Sequence, residues 1–269
     1  MIRLVTLDLY DTLACAVPTR PERFATVCAE LGLVADLDLL RRGYVRADDF
    51  YTRGNGRSPL HNRDPRRVRE FYRHFTRYIL AVAGLPTDAR TCLEVRRRLD
   101  GLGPTQRVQY PDVRPALTAL RARGIKLAVV SNTPVDCTPL CDRLGLTELV
   151  DFIVSSCLVG CEKPCRRIFE FALEQAGVAP AEALHVGDQP LSDVIGALRV
   201  GMGALLIDRD DLRPNVWRCP RLRSLVEVER YLDKPGHATA LPRPRLVGAR
   251  PVIGPVDLRP EPAALVPLI

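Results

Sequence analysis

Short apolar runs recur along the chain, most of them closing on a polar residue. The first, Ile2–Leu7, is β-branched at Ile2, Val5 and Thr6 and ends at Asp8. Comparable runs cover Lys126–Ser131, Phe152–Ser155, Ala183–Gly187 and Ala204–Ile207. Runs of this length and composition predict buried strands. Helical periodicity separates them. Val113–Arg123 sets Leu117 and Leu120 on one face before Gly124, and Arg166–Ala176 groups Phe169, Leu173 and Ala176 before Gly177. A glycine just past the last periodic residue is a helix stop. Strand and helix alternate, so the expected class is α/β, a Rossmann-like doubly wound parallel sheet covered on both faces. In such sheets ligands bind beyond the carboxyl ends of the strands. Asp8, Ser131 and Asp188 all stand at such ends.

Between residues 17 and 106 the rhythm changes to helix alone. Pro21–Leu31 is stopped by Gly32, and Asp36–Tyr51 and Thr87–Leu99 read as further helices. Pro65–Ala83 places Val68, Phe71, Phe75, Tyr78 and Val82 on one face. The Gly-, Asn- and Arg-rich stretch Thr52–Arg63 reads as a mobile loop. A helical block inserted after the first strand is read as an α-helical cap. The expected organisation is a core of residues 1–16 and 107–233 with a cap of residues 17–106. A tail, residues 234–269, carries eight prolines and no sustained period, so it is expected to be extended or disordered.

Composition narrows the partners. The net charge of +7 comes almost wholly from arginine, with lysine only at positions 126, 163 and 234. A basic surface attracts anionic substrates. Zinc-finger spacing and aromatic-basic RNA-binding runs are both lacking, so a solvated arginine surface is preferred to nucleic-acid binding. The apolar runs are far shorter than a membrane span. The N-terminal stretch is too short for a secretory signal, and the cytoplasm is the expected location. Nine cysteines then read as reduced, mostly buried thiols. Cys157, Cys161 and Cys165 flank Lys163 at spacings of four, and Cys137 with Cys141 could complete a thiolate set.

Four fragments carry the chemistry: Leu7–Leu13 (LDLYDTL), Val129–Thr133 (VVSNT), Glu162–Pro164 (EKP) and His185–Asp193 (HVGDQPLSD). Each falls at a predicted strand end or the loop beyond it. In this order they resemble the haloacid dehalogenase-like (HAD) superfamily over about residues 2 to 232. The resemblance implies a hydrolase with Asp8 as nucleophile, forming an aspartyl-phosphate. It implies Mg²⁺ held by Asp8, Asp188 and the Tyr10 carbonyl, with Asp193 supporting that set. Ser131 and the Asn132 amide would donate to phosphoryl oxygens, with Leu9 and Thr12 beside the substrate. Lys163 would neutralise Asp8 and the transferring group. His185 reads as a packing residue.

One position departs from the pattern. The second aspartate of the first motif, which protonates the leaving group in most phosphatases of the superfamily, is replaced by Tyr10. Asp11 is adjacent, but a shift of one residue ordinarily redirects a side chain. A phenol can donate a proton and is a poor base near neutrality. The leading reading is a Mg²⁺-dependent phosphomonoesterase acting on a small phosphorylated metabolite with an acidic leaving group. A second is a metal-independent 2-haloacid dehalogenase, in which Tyr also stands at this position and a cap arginine, loosely Arg41 or Arg42, would take part. Phosphonate cleavage is disfavoured, because the cap segment contains no lysine. A third reading is a weakly catalytic binding or regulatory protein retaining a phosphate pocket. Arg69, Arg73 and Arg77 could face the site, although a solvated stripe is preferred.

Overall fold

Leu4–Leu7 (β1) is buried at every position, as a strand must be when both sheet faces are covered. The structure, a computed structural model, describes residues 1–57, 64–214 and 219–233. The other strands are Ala14–Val17 (β2), Gln106–Gln109 (β3), Lys126–Ser131 (β4), Phe152–Ser155 (β5), Ala183–Gly187 (β6), Gly203–Ile207 (β7) and Arg221–Leu222 (β8). Six of them form a parallel sheet in the order β5-β4-β1-β6-β7-β8. The chain leaves β1 for β4 on one side and returns to β6 on the other. The direction of winding therefore reverses beside β1, and a crevice opens at its carboxyl end.

Alternate side chains along the strands feed two separate cores. Val5, Leu7, Leu127 and Val129 pack with Val113, Leu117 and Leu120 of helix Val113–Ala122. Leu4, Ala128, Val130 and Ala204 pack with Ile168, Phe169 and Ala172 of helix Arg166–Ala176. This is the expected α/β, doubly wound, Rossmann-like sheet.

Four long helices stand between β2 and β3: Arg20–Glu30 (α1), Leu37–Arg57 (α2), Pro65–Val82 (α3) and Ala89–Gly101 (α4). Thr19 and Glu22 start α1 with a capping box, each side chain accepting from the other's backbone N–H. The helices share a core of Phe24, Val27, Leu40, Phe71, Phe75, Ile79 and Leu80. The buried face of α3 is Phe71, Phe75, Thr76, Ile79 and Leu80, rotated from the expected one, while Val68, Tyr78 and Val82 lie at its margin. Part of the expected loop Thr52–Arg63 is helix, since α2 runs on to Arg57; residues 58–63 lie outside the described residues. The block is entered and left through an antiparallel ribbon that pairs Ala16 with Arg107 and Val17 with Gln106. The Pro-rich tail falls outside the described residues. Among those described, no helix is long and apolar enough to cross a membrane.

Candidate active site

The crevice widens into a cavity of about 870 Å³ lined from both sides, by Asp8, Lys163 and Asp188 and by Tyr44, Tyr51 and Tyr72 among others. Asp8 follows β1 directly, and its N–H is fixed by the Val186 carbonyl at 2.9 Å. Its carboxylate meets the Lys163 ammonium at 2.6 Å, and the same ammonium meets Asp193 at 2.7 Å. Lys163 is 4% exposed. Its backbone is gripped at both ends by the Asn132 carboxamide: Lys163 N–H donates to Oδ1 at 2.7 Å, and Nδ2 donates to the Lys163 carbonyl at 2.9 Å. That grip requires the tip of β4 to lie against the loop carrying Lys163.

Asp193 sits in a π-helical turn, Pro190–Ile195, where the Val194 N–H reaches back to the Gln189 carbonyl. Its Oδ2 accepts from the Gln189 N–H at 2.9 Å. Its Oδ1 is 3.2 Å from His185 Nε2, and His185 Nδ1 is 2.7 Å from the Thr6 hydroxyl. One arrangement satisfies all three groups: Thr6 O–H donates to Nδ1, and Nε2–H donates to Asp193. Gly187 is required here by space, because a Cβ at that position would lie 2.3 Å from the Asp193 carboxylate.

Charge is unbalanced at this point. Asp8, Asp188 and Asp193 offer oxygens all within 4.8 Å of one another. Burial, opposed by Lys163 and reinforced by Asp193, pushes the Asp8 carboxyl up from 3.8 to about 6. Burial and then Asp8 and Asp193 push Asp188 well above the carboxylate range. Asp193 goes the other way: against its burial, Lys163 and His185 hold it below the usual value. Burial keeps His185 low and therefore neutral near pH 7. Three neighbouring carboxylates, two of them sharing the Lys163 ammonium, form an all-oxygen set suited to a hard divalent cation.

The structure brings together most of the residues expected from sequence and separates others. Asp8, Tyr10, Asn132, Lys163, Asp188 and Asp193 all line the cavity. Leu9 and Thr12 do not. Leu9 is fully buried in the sheet core, leaving its backbone N–H to hydrogen-bond Asp8. Thr12 is also fully buried, and its carbonyl is taken by Arg209. Ser131 lies beneath the cavity rather than on its wall, fully buried and with its hydroxyl unpartnered among the described residues. The Asn132 side-chain amide gives one of its two N–H donors to the Lys163 carbonyl. Arg41 pairs with Asp38 at the surface and Arg42 is exposed, which removes both from the site. Arg69, Arg73 and Arg77 form the solvated stripe.

All nine cysteines are free thiols, four of them buried, and among the described residues the acidic trio is the sole group with metal-ligand geometry. Sequence reasoning missed Arg107, whose guanidinium covers the Tyr10 ring at 4.9 Å. It missed Thr52, which donates to the Gln189 side chain at 2.8 Å. It also took His185 for packing alone. Arg107 and Thr52 carry no local signal, since their partners are remote in sequence, and of the two partners of His185 only Asp193 is near in sequence while Thr6 is remote.

Comparison with known proteins agrees with this geometry. The family model for haloacid dehalogenase-like hydrolases matches residues 2–201. Haloacid dehalogenase-like hydrolase domain-containing protein 3 of Mus musculus is 33% identical over 213 residues, 77% of this chain and 82% of the mouse protein. A glyceraldehyde 3-phosphate phosphatase of Methanopyrus kandleri is 38% identical over 135 residues, 46% of this chain and 58% of that enzyme. In fold, the chain resembles the L-2-haloacid dehalogenase RSc1362, with a TM-score of 0.58 at 20% identity, covering 87% of this chain and 99% of that one. With its α/β sheet and the acidic cluster at the tip of β1, the chain belongs to the haloacid dehalogenase-like hydrolase family.

Proposed function

We propose that this hydrolase is a Mg²⁺-dependent phosphomonoesterase acting on a small phosphorylated metabolite through an aspartyl-phosphate on Asp8. The observation that carries the reading is the buried Asp8–Lys163 contact of 2.6 Å beside two further carboxylates. A carboxylate beside a buried ammonium can approach a phosphate dianion, because the ammonium screens their repulsion. The Asp8 oxygen forms a bond to phosphorus as the bond to the leaving oxygen breaks, and the electron pair departs with that oxygen. Water then attacks the same phosphorus, releasing inorganic phosphate and the Asp8 carboxylate. Asp8, Asp188 and the Tyr10 carbonyl would hold Mg²⁺, with Asp193 in support, and the ion would supply positive charge against the dianion. Residues 17–106 would act as the cap, since their aromatic side chains close the cavity from above.

Tyr10 sets the limit on leaving groups. Burial, partly offset by a hydrogen bond to Thr133 and the Arg107 charge, raises its phenol above the usual value. It can hand a proton to a departing oxygen but cannot readily take one from water. Acyl and aryl phosphates, which need little protonation, are the favoured class. The Methanopyrus relative named for a phosphate ester supports a phosphorylated substrate. Tyr10 also favours the second reading, dehalogenation, because halide leaves without a proton; the acidic trio weighs against it.

The test is phosphate release from acetyl phosphate and p-nitrophenyl phosphate with Mg²⁺ and with chelator. The expected result is Mg²⁺-dependent release that Asp8→Asn abolishes. Release untouched by Asp8→Asn would overturn the assignment, and chelator-insensitive halide release from 2-chloropropionate would transfer it to dehalogenation.

A further inference from the structure

Four of the arginines lining the cavity differ in what holds them. Arg20 donates to the Tyr44 hydroxyl at 3.1 Å. Arg23 donates to the carbonyls of Gly103 and Leu102 at 2.8 and 3.3 Å. Arg96 is paired with Asp100. Arg107 has no such partner. It lies over the Tyr10 ring, and its Nη1 is buried without a hydrogen bond among the described residues. A buried guanidinium nitrogen left unpaired is unfavourable unless a ligand oxygen completes it. Stacking on an aromatic face orients the guanidinium plane and leaves its edge for a planar oxyanion. The residue is carried on the ribbon, in register with Ala16, so its backbone is held by the β2 strand.

Position decides which oxyanion Arg107 meets. Lys163 is already shared by Asp8 and Asp193, whereas Arg107 stacks on Tyr10 in the same cavity. Arg107 is thus a cation of the cavity wall left free to receive a second oxyanion of the substrate. The same cavity has an aromatic wall that includes Tyr44, Tyr51 and Tyr72.

We infer that Arg107 is a specificity-determining residue that binds a second anionic group, a carboxylate, on the leaving-group portion of the substrate. The substrate class is then a carboxylate-bearing phosphomonoester, with room for a planar body against the aromatic wall. This rests on the phosphomonoesterase reading and adds to it the identity of the far end of the substrate.

The test compares 4-carboxyphenyl phosphate with its neutral isostere, 4-carbamoylphenyl phosphate. The wild-type protein prefers the carboxylate by about ten- to a hundredfold in kcat/KM, the size of one charge-assisted hydrogen bond. In Arg107→Gln that ratio collapses toward one through a rise in KM for the carboxylate ester. A ratio near one in the wild-type protein, or a preference that survives Arg107→Gln, overturns the inference. Calorimetric binding of 4-phosphonobenzoate and 4-phosphonobenzamide to the wild-type protein needs neither turnover nor a variant that folds. Tighter binding of the carboxylate by a similar factor supports the inference, and equal binding overturns it. If neither ester is hydrolysed, the phosphomonoesterase reading fails, while the phosphonate pair still decides the role of Arg107.

Discussion

Lys163 spends its ammonium on two carboxylates at once, and its backbone on the Asn132 carboxamide. Removing the charge leaves Asp8 and Asp193 buried without it. Lys163→Gln is therefore expected to lose about 3–5 kcal/mol of stability in urea unfolding, as broken buried pairs do, together with all phosphate release. A stable but inactive variant would instead show that the surrounding dipoles carry the carboxylates without the ammonium. Asp8, Lys163, Asp188 and Asp193 were legible in the sequence because each sits in a short motif at a strand end. His185 was not. A neutral imidazole buried against Phe169, with ring centroids 5.2 Å apart, has the composition of a packing residue. Its hydrogen bond to Thr6 arises only once β1 and β6 are paired with Thr6 opposite His185. Leu9 and Thr12 show the converse: a motif names positions, but it does not say which of their side chains turn inward.

Among the elements, the strands of the main sheet were the most readable, because both faces are buried and the apolar runs are unbroken. Its edge strand β8 and the ribbon were not. Gln106–Gln109 is polar at three of its four positions, and its partner β2 lies on the far side of the four-helix insertion. Helix α2 outruns the expected boundary despite Gly54 and Gly56. Each glycine weakens a helix by about 1 kcal/mol, a deficit that tertiary contact can offset. Thr52 supplies such a contact: it is 7% exposed and donates to Gln189, whose side chain also accepts from Ser192 at 2.9 Å. Thr52→Val keeps the shape and deletes this link between α2 and the loop carrying Asp188. The expected outcome is a loss of about 0.5–1.5 kcal/mol in denaturant unfolding, with a fall in kcat/KM. Unchanged kinetics would show that α2 does not position that loop.

At the scale of the whole molecule, a chain of net charge +7 carries a site where three carboxylates gather, and this couples pH to cation binding. The folded Asp8 carboxyl titrates at about 6 against an ordinary 3.8. Between those values the folded state holds a proton that the unfolded chain has released, so this group's contribution falls as pH rises through the window. Asp188, raised as well, acts in the same sense. Asp193 is lowered and stays ionised across the range, while neutral His185, also lowered, gains stability as pH rises through its unfolded value. Comparing melting with and without Mg²⁺ at each pH isolates the groups that face the ion. Mg²⁺ should raise the melting temperature more at pH 8, where it meets carboxylates, than at pH 5, where it competes with protons. Equal shifts at both pH values would contradict an acidic cation site.

The nucleophilic role of Asp8 is tested most directly by trapping. The protein is mixed with acetyl phosphate and Mg²⁺, quenched, reduced with borohydride and digested. An acyl phosphate is reduced to the alcohol, so the N-terminal peptide should carry homoserine at position 8, and the same peptide should remain unmodified without substrate. Rapid phosphate release with an intact Asp8 side chain after reduction would contradict the account.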